Sequence, residues 1–115
     1  MEHVNNPGKA FREIARLLKE GGKHIFTVPI YPFSITRSRV KIENSIRKNI
    51  LPTFYHGNPI DEKGSLVTYD WGNDICHYIE RVSGMKSKII EFQNSKENYR
   101  NGLEGDFLYA VVSRK

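Results

Sequence analysis

The sequence predicts an α/β fold: half of a three-layer sheet. Three observations carry that expectation. A helix ends in a double glycine and leads at once into a short apolar strand, within Met1 to Pro29. A second amphipathic stretch, Trp71 to Val82, runs through Gly84 into a strand at 85–92. A last β-branched and aromatic run at 107–112 closes the chain. The order is helix, strand, long insert, helix, strand, strand. A strand–helix–strand crossover implies parallel pairing and a right-handed connection. The polar loop at 93–105 is short enough for the last strand to turn back antiparallel.

Asn6-Pro7 starts the first helix, because Asn caps well and Pro suits the first helical position, where its missing N–H costs nothing. Ala10, Phe11, Ile14, Leu17 and Leu18 share one face. Gly21 follows where a left-handed residue is wanted. His24–Val28 reads as a strand buried on both faces, since Ile25, Phe26 and Val28 form a near-continuous apolar run, and Pro29 stops it. From Tyr31 to Gly64, prolines at 32, 52 and 59 interrupt every pattern. Ile42, Ile46 and Ile50 fall four apart and could line a short helix. His56-Gly57-Asn58-Pro59 and Asp61-Glu62-Lys63-Gly64 are turn signals. Asp70 is the candidate N-cap of the second helix, whose stripe is Trp71, Ile75, Tyr78, Ile79 and Val82.

A chain of 115 residues holds one domain, large enough to bury a core without disulfides or metals. Its single cysteine, Cys76, excludes an internal disulfide and a multi-cysteine zinc site, and points to a reducing compartment. No signal pattern or membrane-length apolar run occurs, so the expected location is cytoplasmic. Eighteen Lys and Arg against 13 Asp and Glu give a net charge of +5. Only Arg37–Lys48 is locally basic, and Glu43 interrupts it. A solvated face is the expectation there, with a nucleic-acid patch the weaker alternative.

At Glu2-His3-Val4, and again from Phe11 to Gly22, the chain resembles the class I S-adenosylmethionine-dependent methyltransferases. In that family an EHV-like segment follows the fourth strand. A helix ending in R-x-L-K-x-G-G then leads into the fifth. Arg16-Leu17-Leu18-Lys19-Glu20-Gly21-Gly22 fits, with Glu20 where the family usually has proline. The resemblance implies that His24–Val28 is the fifth strand, Trp71–Ser83 the next helix, Met85–Phe92 the sixth strand and Phe107–Val112 the antiparallel seventh. The chain would then be the C-terminal half of a three-layer Rossmann-like methyltransferase sheet, a single partial domain over 1–115 with a loosely matched substrate-side insert at 30–68.

One departure bears on function. The family holds its donor with a glycine-rich turn after the first strand and an acid ending the second, much as dinucleotide folds do. No G-x-G occurs here, and Gly21-Gly22 precedes a strand instead of following one. The expectation is that the donor-holding strands lie upstream of Met1 and that this chain alone binds S-adenosylmethionine weakly or not at all.

The resemblance places Glu2 and His3 at the carboxyl end of a strand beside the methyl donor, where His3 could act as a base or orient substrate; alternatively both fix the local turn. Pro29, Tyr31 and Phe33 follow the fifth strand and would wall the acceptor pocket, or simply pack. Tyr55 and His56 could contact substrate from a loop, while Gly57, Asn58 and Pro59 read as a plain turn. His24 and His77 read as structural. The histidine spacing matches no recognised metal motif, so no metal is expected. Cys76, between Ile75 and His77 on a helix, reads as buried, not nucleophilic.

The leading expectation is therefore the C-terminal segment of a methyltransferase acting on a small acceptor, with His3, Tyr31 and His56 in catalytic roles and Glu2 and His3 toward the donor. The alternative is a non-catalytic assembly module, a homodimer or larger, joined through the exposed edge of the His24–Val28 strand.

Overall fold

The computed structural model describes residues 1–44, 46–57, 64–92 and 108–115. The turn expected at Asn58-Pro59 and the polar loop at 94–105 lie outside the described residues.

Helix α1 is Pro7–Leu17. The Asn6 side chain accepts a hydrogen bond from the Lys9 backbone N–H at 2.9 Å, with proline at the first helical position. Phe11 and Ala15 are buried, Ile14 and Leu18 partly so, and Leu17 is exposed, outside the stripe expected for it. Gly21 has φ +74, the left-handed value that glycine adopts without strain. Strand β1 (Lys23–Thr27) follows.

The insert contains β2 (Ile30–Tyr31), β3 (Arg37–Ser38), β4 (Val40–Glu43), β5 (Ile46–Asn49), β6 (Tyr55–His56) and β7 (Ser65–Leu66). The helix suggested by Ile42, Ile46 and Ile50 does not form. Ile42 and Ile46 lie in an antiparallel hairpin, with Glu43 opposite Ile46. Asn44 adopts φ 51 in its turn, a left-handed position that Asn tolerates.

Strand β8 (Tyr69–Gly72) takes residues assigned from sequence to the second helix. Asp70 therefore caps nothing, and α2 (Ile75–Ser83) starts after Asp74. Trp71 is fully buried from a strand, not from a helix face. Gly84 ends α2 at φ +75, its N–H bonded to the Glu80 carbonyl. Strands β9 (Lys86–Phe92) and β10 (Leu108–Arg114) complete the chain.

The three-layer Rossmann-like sheet is not what these residues build. The described strands fall into four small sheets: β1-β10-β9, β2-β8-β3, β4-β5 and β6-β7. Strand β10 lies between β1 and β9 and runs antiparallel to both, so the parallel pairing expected of the crossover is absent. Helices α1 and α2 pack on each other, and α2 also packs on β9 and β10.

The register accounts for the missing layer. His24, Phe26, Val111, Ser113, Ile89 and Ser87 share one face, where Phe26, Val111 and Ile89 join the core. Ile25, Val112 and Lys88 share the other, and Ile25 is 64% exposed. Strand β1 is thus buried on one face, not two. The core joins Phe11, Trp71, Ile75, Ile79, Met85 and Val111, and burying each large apolar side chain contributes roughly 1.5–3 kcal/mol. The Trp71 ring stands 6.1 Å from Phe11, 5.4 Å from Tyr69 and 5.3 Å from Tyr78. No helix among the described residues is long and apolar enough to cross a membrane.

Candidate functional site

The first residues are pinned to the approach to β8. The Glu2 carbonyl accepts from the Thr68 N–H at 2.7 Å and the Tyr69 N–H at 3.2 Å. The Thr68 hydroxyl, fully buried, lies 2.9 Å from both the Glu2 and the Val4 carbonyl oxygens. This anchorage sets the side chains of Glu2 and His3.

His3 Nδ1 is 2.8 Å from the Leu66 carbonyl oxygen. A carbonyl only accepts, so Nδ1 carries the proton and the neutral ring keeps its lone pair on Nε2. The β6–β7 ladder pairs His56 with Ser65 and Tyr55 with Leu66, which delivers His56 to the same place. The His3 and His56 rings meet edge-on, 5.2 Å between centroids. Glu2 Oε1 is 3.6 Å from His3 Nε2 and 3.8 Å from His56 Nδ1. Its Oε2 accepts from the Met1 amino group at 2.9 Å. Partial burial pushes the Glu2 carboxyl up, but its backbone hydrogen bond, the Met1 ammonium and His3 outweigh this and hold it below the usual carboxylate range.

A cleft of about 400 Å³ opens nearby, lined by Tyr31, Ser34, Arg37, Arg39, Phe54 and Asp70. Phe54 bridges it to the histidines: its ring is 5.3 Å from His56, and the Arg39 guanidinium lies 5.7 Å from the ring centroid. Asp70 is the electrostatic hub. Arg39 Nη1 donates to both its oxygens, at 2.9 and 2.7 Å, and Arg37 Nε donates at 3.0 Å. Arg39 Nη2 donates to the Pro52 carbonyl at 2.6 Å, while its buried Nε has no partner among the described residues. Burial raises the Tyr31 phenol above its ordinary range; Asp70 and Glu2 add to this and Arg39 opposes it. The phenol therefore stays neutral at physiological pH and can donate a hydrogen bond into the cleft.

The fold thus brings Glu2, His3 and His56 together and sets Tyr31 in the adjoining cleft. Tyr55 is exposed. Phe33 is fully exposed with φ 65, so it neither packs nor lines the cleft. His24 stacks on Phe26 at 4.7 Å and His77 is exposed on α2. Burial raises the Cys76 thiol, which disfavours the thiolate. Sequence reasoning missed Arg39, Phe54, Asp70 and Thr68. Arg39 was part of a basic stretch read as solvated, yet its side chain is only 14% exposed. No local pattern links it to an acid 31 residues away.

A second cleft, about 480 Å³ and lined by Glu20, Gly21, Gly84, Lys86, Arg114 and Lys115, lies at the amino end of β1. It has neither the phenol nor the aromatic wall of the first. No protein-family model, no curated protein and no solved structure matches the chain.

Proposed function

We propose that this chain is the acceptor-side portion of an S-adenosylmethionine-dependent methyltransferase. One observation carries the reading. Glu2 and His3, which the resemblance places beside the methyl donor, sit with His56 next to a cleft walled by Tyr31, the residue four positions beyond β1. Residues distant in the chain converge on a space large enough for a small acceptor.

S-adenosylmethionine supplies an already activated methyl group, so the protein's task is mainly to position the acceptor. In this reading Phe54 offers the acceptor an aromatic wall and Tyr31 a hydrogen bond. No G-x-G occurs in the sequence, so in this reading the donor is held by another segment.

The DNA upstream of the Met1 codon tests the reading. An in-frame glycine-rich strand–turn–helix is expected, and the protein carrying it should bind S-adenosylhomocysteine in a calorimetric titration. An in-frame stop codon upstream, with no donor-binding chain copurifying, would overturn it.

A second reading is favoured by β1. Among the described residues it pairs only with β10, and its free edge adjoins the open face bearing Ile25. Such edges pair with other chains. An assembly module would use this edge to form a homodimer or larger species, measurable by light scattering.

A further inference from the structure

We infer that Glu2, His3 and His56 form a binding site for a first-row divalent cation, of which zinc is the best match. One oxygen and two imidazole nitrogens, from segments more than fifty residues apart, lie within 4.8 Å of one another. Two carboxylate–imidazole separations are 3.6 and 3.8 Å. Ligands at about 2.0–2.1 Å around a tetrahedral zinc stand roughly 3.3 Å apart, so the two carboxylate–imidazole separations need to close by only a few tenths of an ångström, while the two imidazoles, within 4.8 Å of each other, draw together by up to about 1.5 Å through side-chain rotation.

The surroundings match what a metal site requires beyond its ligands. His3 donates its Nδ1 proton to the Leu66 carbonyl, which fixes the ring and leaves Nε2 as the ligating atom. A ligating histidine usually has such an outer hydrogen bond. Phe54 packs edge-on against His56 and restrains its ring. Glu2 Oε1 is the carboxylate oxygen turned toward both imidazoles. Two nitrogens and one carboxylate oxygen suit zinc or a neighbouring divalent ion better than magnesium or calcium. Three protein ligands leave a coordination position open, the pattern of catalytic and not of structural zinc. Spacing rules could not find this site, because the third ligand arrives through the β6–β7 ladder.

The site does not depend on methyl transfer: a chain that binds the ion but never transfers a methyl group keeps this inference and loses the other. The test uses the untagged chain, stripped with a chelator and titrated with Zn²⁺ by calorimetry and with Co²⁺ by visible absorption. One equivalent should bind, with the ligand-field bands of a four- or five-coordinate ion. Glu2→Gln, which keeps size and shape, and His56→Ala should each weaken binding by roughly 100-fold or more, beyond the loss typical of an outer-shell partner. His77→Ala should leave it unchanged. Circular dichroism checks folding, and Glu2→Gln decides if His56→Ala unfolds. Absence of binding, indifference to both substitutions, or a cobalt–thiolate charge-transfer band implicating Cys76 would overturn the inference.

Discussion

Thr68 holds Glu2 in place through two separate contacts to one carbonyl oxygen, from its backbone N–H at 2.7 Å and its hydroxyl at 2.9 Å. The hydroxyl also lies 2.9 Å from the Val4 carbonyl, so a single buried side chain ties the segment carrying Glu2 and His3 to the approach of β8. Thr68→Val keeps the shape and removes the donor. The expected cost is about 0.5–1.5 kcal/mol, the net worth of one hydrogen bond, because the Glu2 carbonyl keeps the Thr68 and Tyr69 N–H donors. Urea denaturation measures it. Because the same bonds orient Glu2 and His3, the variant should also bind Zn²⁺ more weakly than the parent.

Asp70 and the two arginines separate a buried ion pair from a surface one. Arg39 is 14% exposed and Asp70 8%, whereas Arg37 is 64% exposed. Asp70→Asn leaves the Arg39 cation without a counter-charge and should cost about 3–5 kcal/mol. Arg37→Ala removes a solvated contact and should cost no more than about 1 kcal/mol. Chemical denaturation of both variants checks the contrast. Removing the Asp70 charge also removes one of the influences that raise Tyr31, so ultraviolet titration of Asp70→Asn should show the Tyr31 phenol moving back toward its ordinary value.

Local signals in this sequence were legible and long-range ones were not. Asn6-Pro7 and Gly21 mark the first helix and its exit through side-chain capping and a left-handed backbone, both local effects. The strand beginning near His24 and the helix containing Ile75 and Ile79 follow from apolar spacing. Trp71 misled because its spacing to Ile75 fits a helix, yet Tyr69–Gly72 is extended: β8 pairs with β2 and β3, and tertiary pairing overrode the local period. Ile42 and Ile46 misled in the same way. In the candidate site, Glu2, His3 and Tyr31 were singled out through the methyltransferase resemblance, the first two by the EHV-like segment and Tyr31 by its place after the first strand. That His56 joins the first two depends on a two-residue ladder that leaves no periodic trace in so short a segment.

Alkaline stability should depend on Tyr78. Burial raises its phenol to about 12 from an ordinary 10.0; Tyr69 adds to the rise, and Arg81 and Arg12 oppose it. The unfolded chain loses this proton near pH 10 and the folded chain only near 12, so between them the unfolded state holds fewer protons. Stability is therefore whole below pH 10 and falls as pH rises from 10 to about 12. Urea midpoints across that window should decline, and Tyr78→Phe should flatten the decline. A residual slope of the same sign is expected from Tyr31, whose phenol is also raised.

The open side of β1 makes the assembly reading testable apart from chemistry. Lys23, Ile25 and Thr27 lie on its exposed face, and its outer edge has no partner strand among the described residues. Natural edges are commonly blunted by an inward-pointing charge or a lysine; here the central residue is isoleucine. Ile25→Lys places a charge at that point without disturbing the core, since the side chain is 64% exposed. Its effect on the urea midpoint of the isolated chain should stay within about 0.5 kcal/mol, as for most surface substitutions. If the edge pairs with a second copy, light scattering should give the parent a mass above that of one chain and Ile25→Lys the mass of one. Hydrogen exchange separates the remaining cases: β1 amides slow in the parent and fast in Ile25→Lys mark pairing through this edge, whereas equal rates in both would place any association elsewhere on the surface.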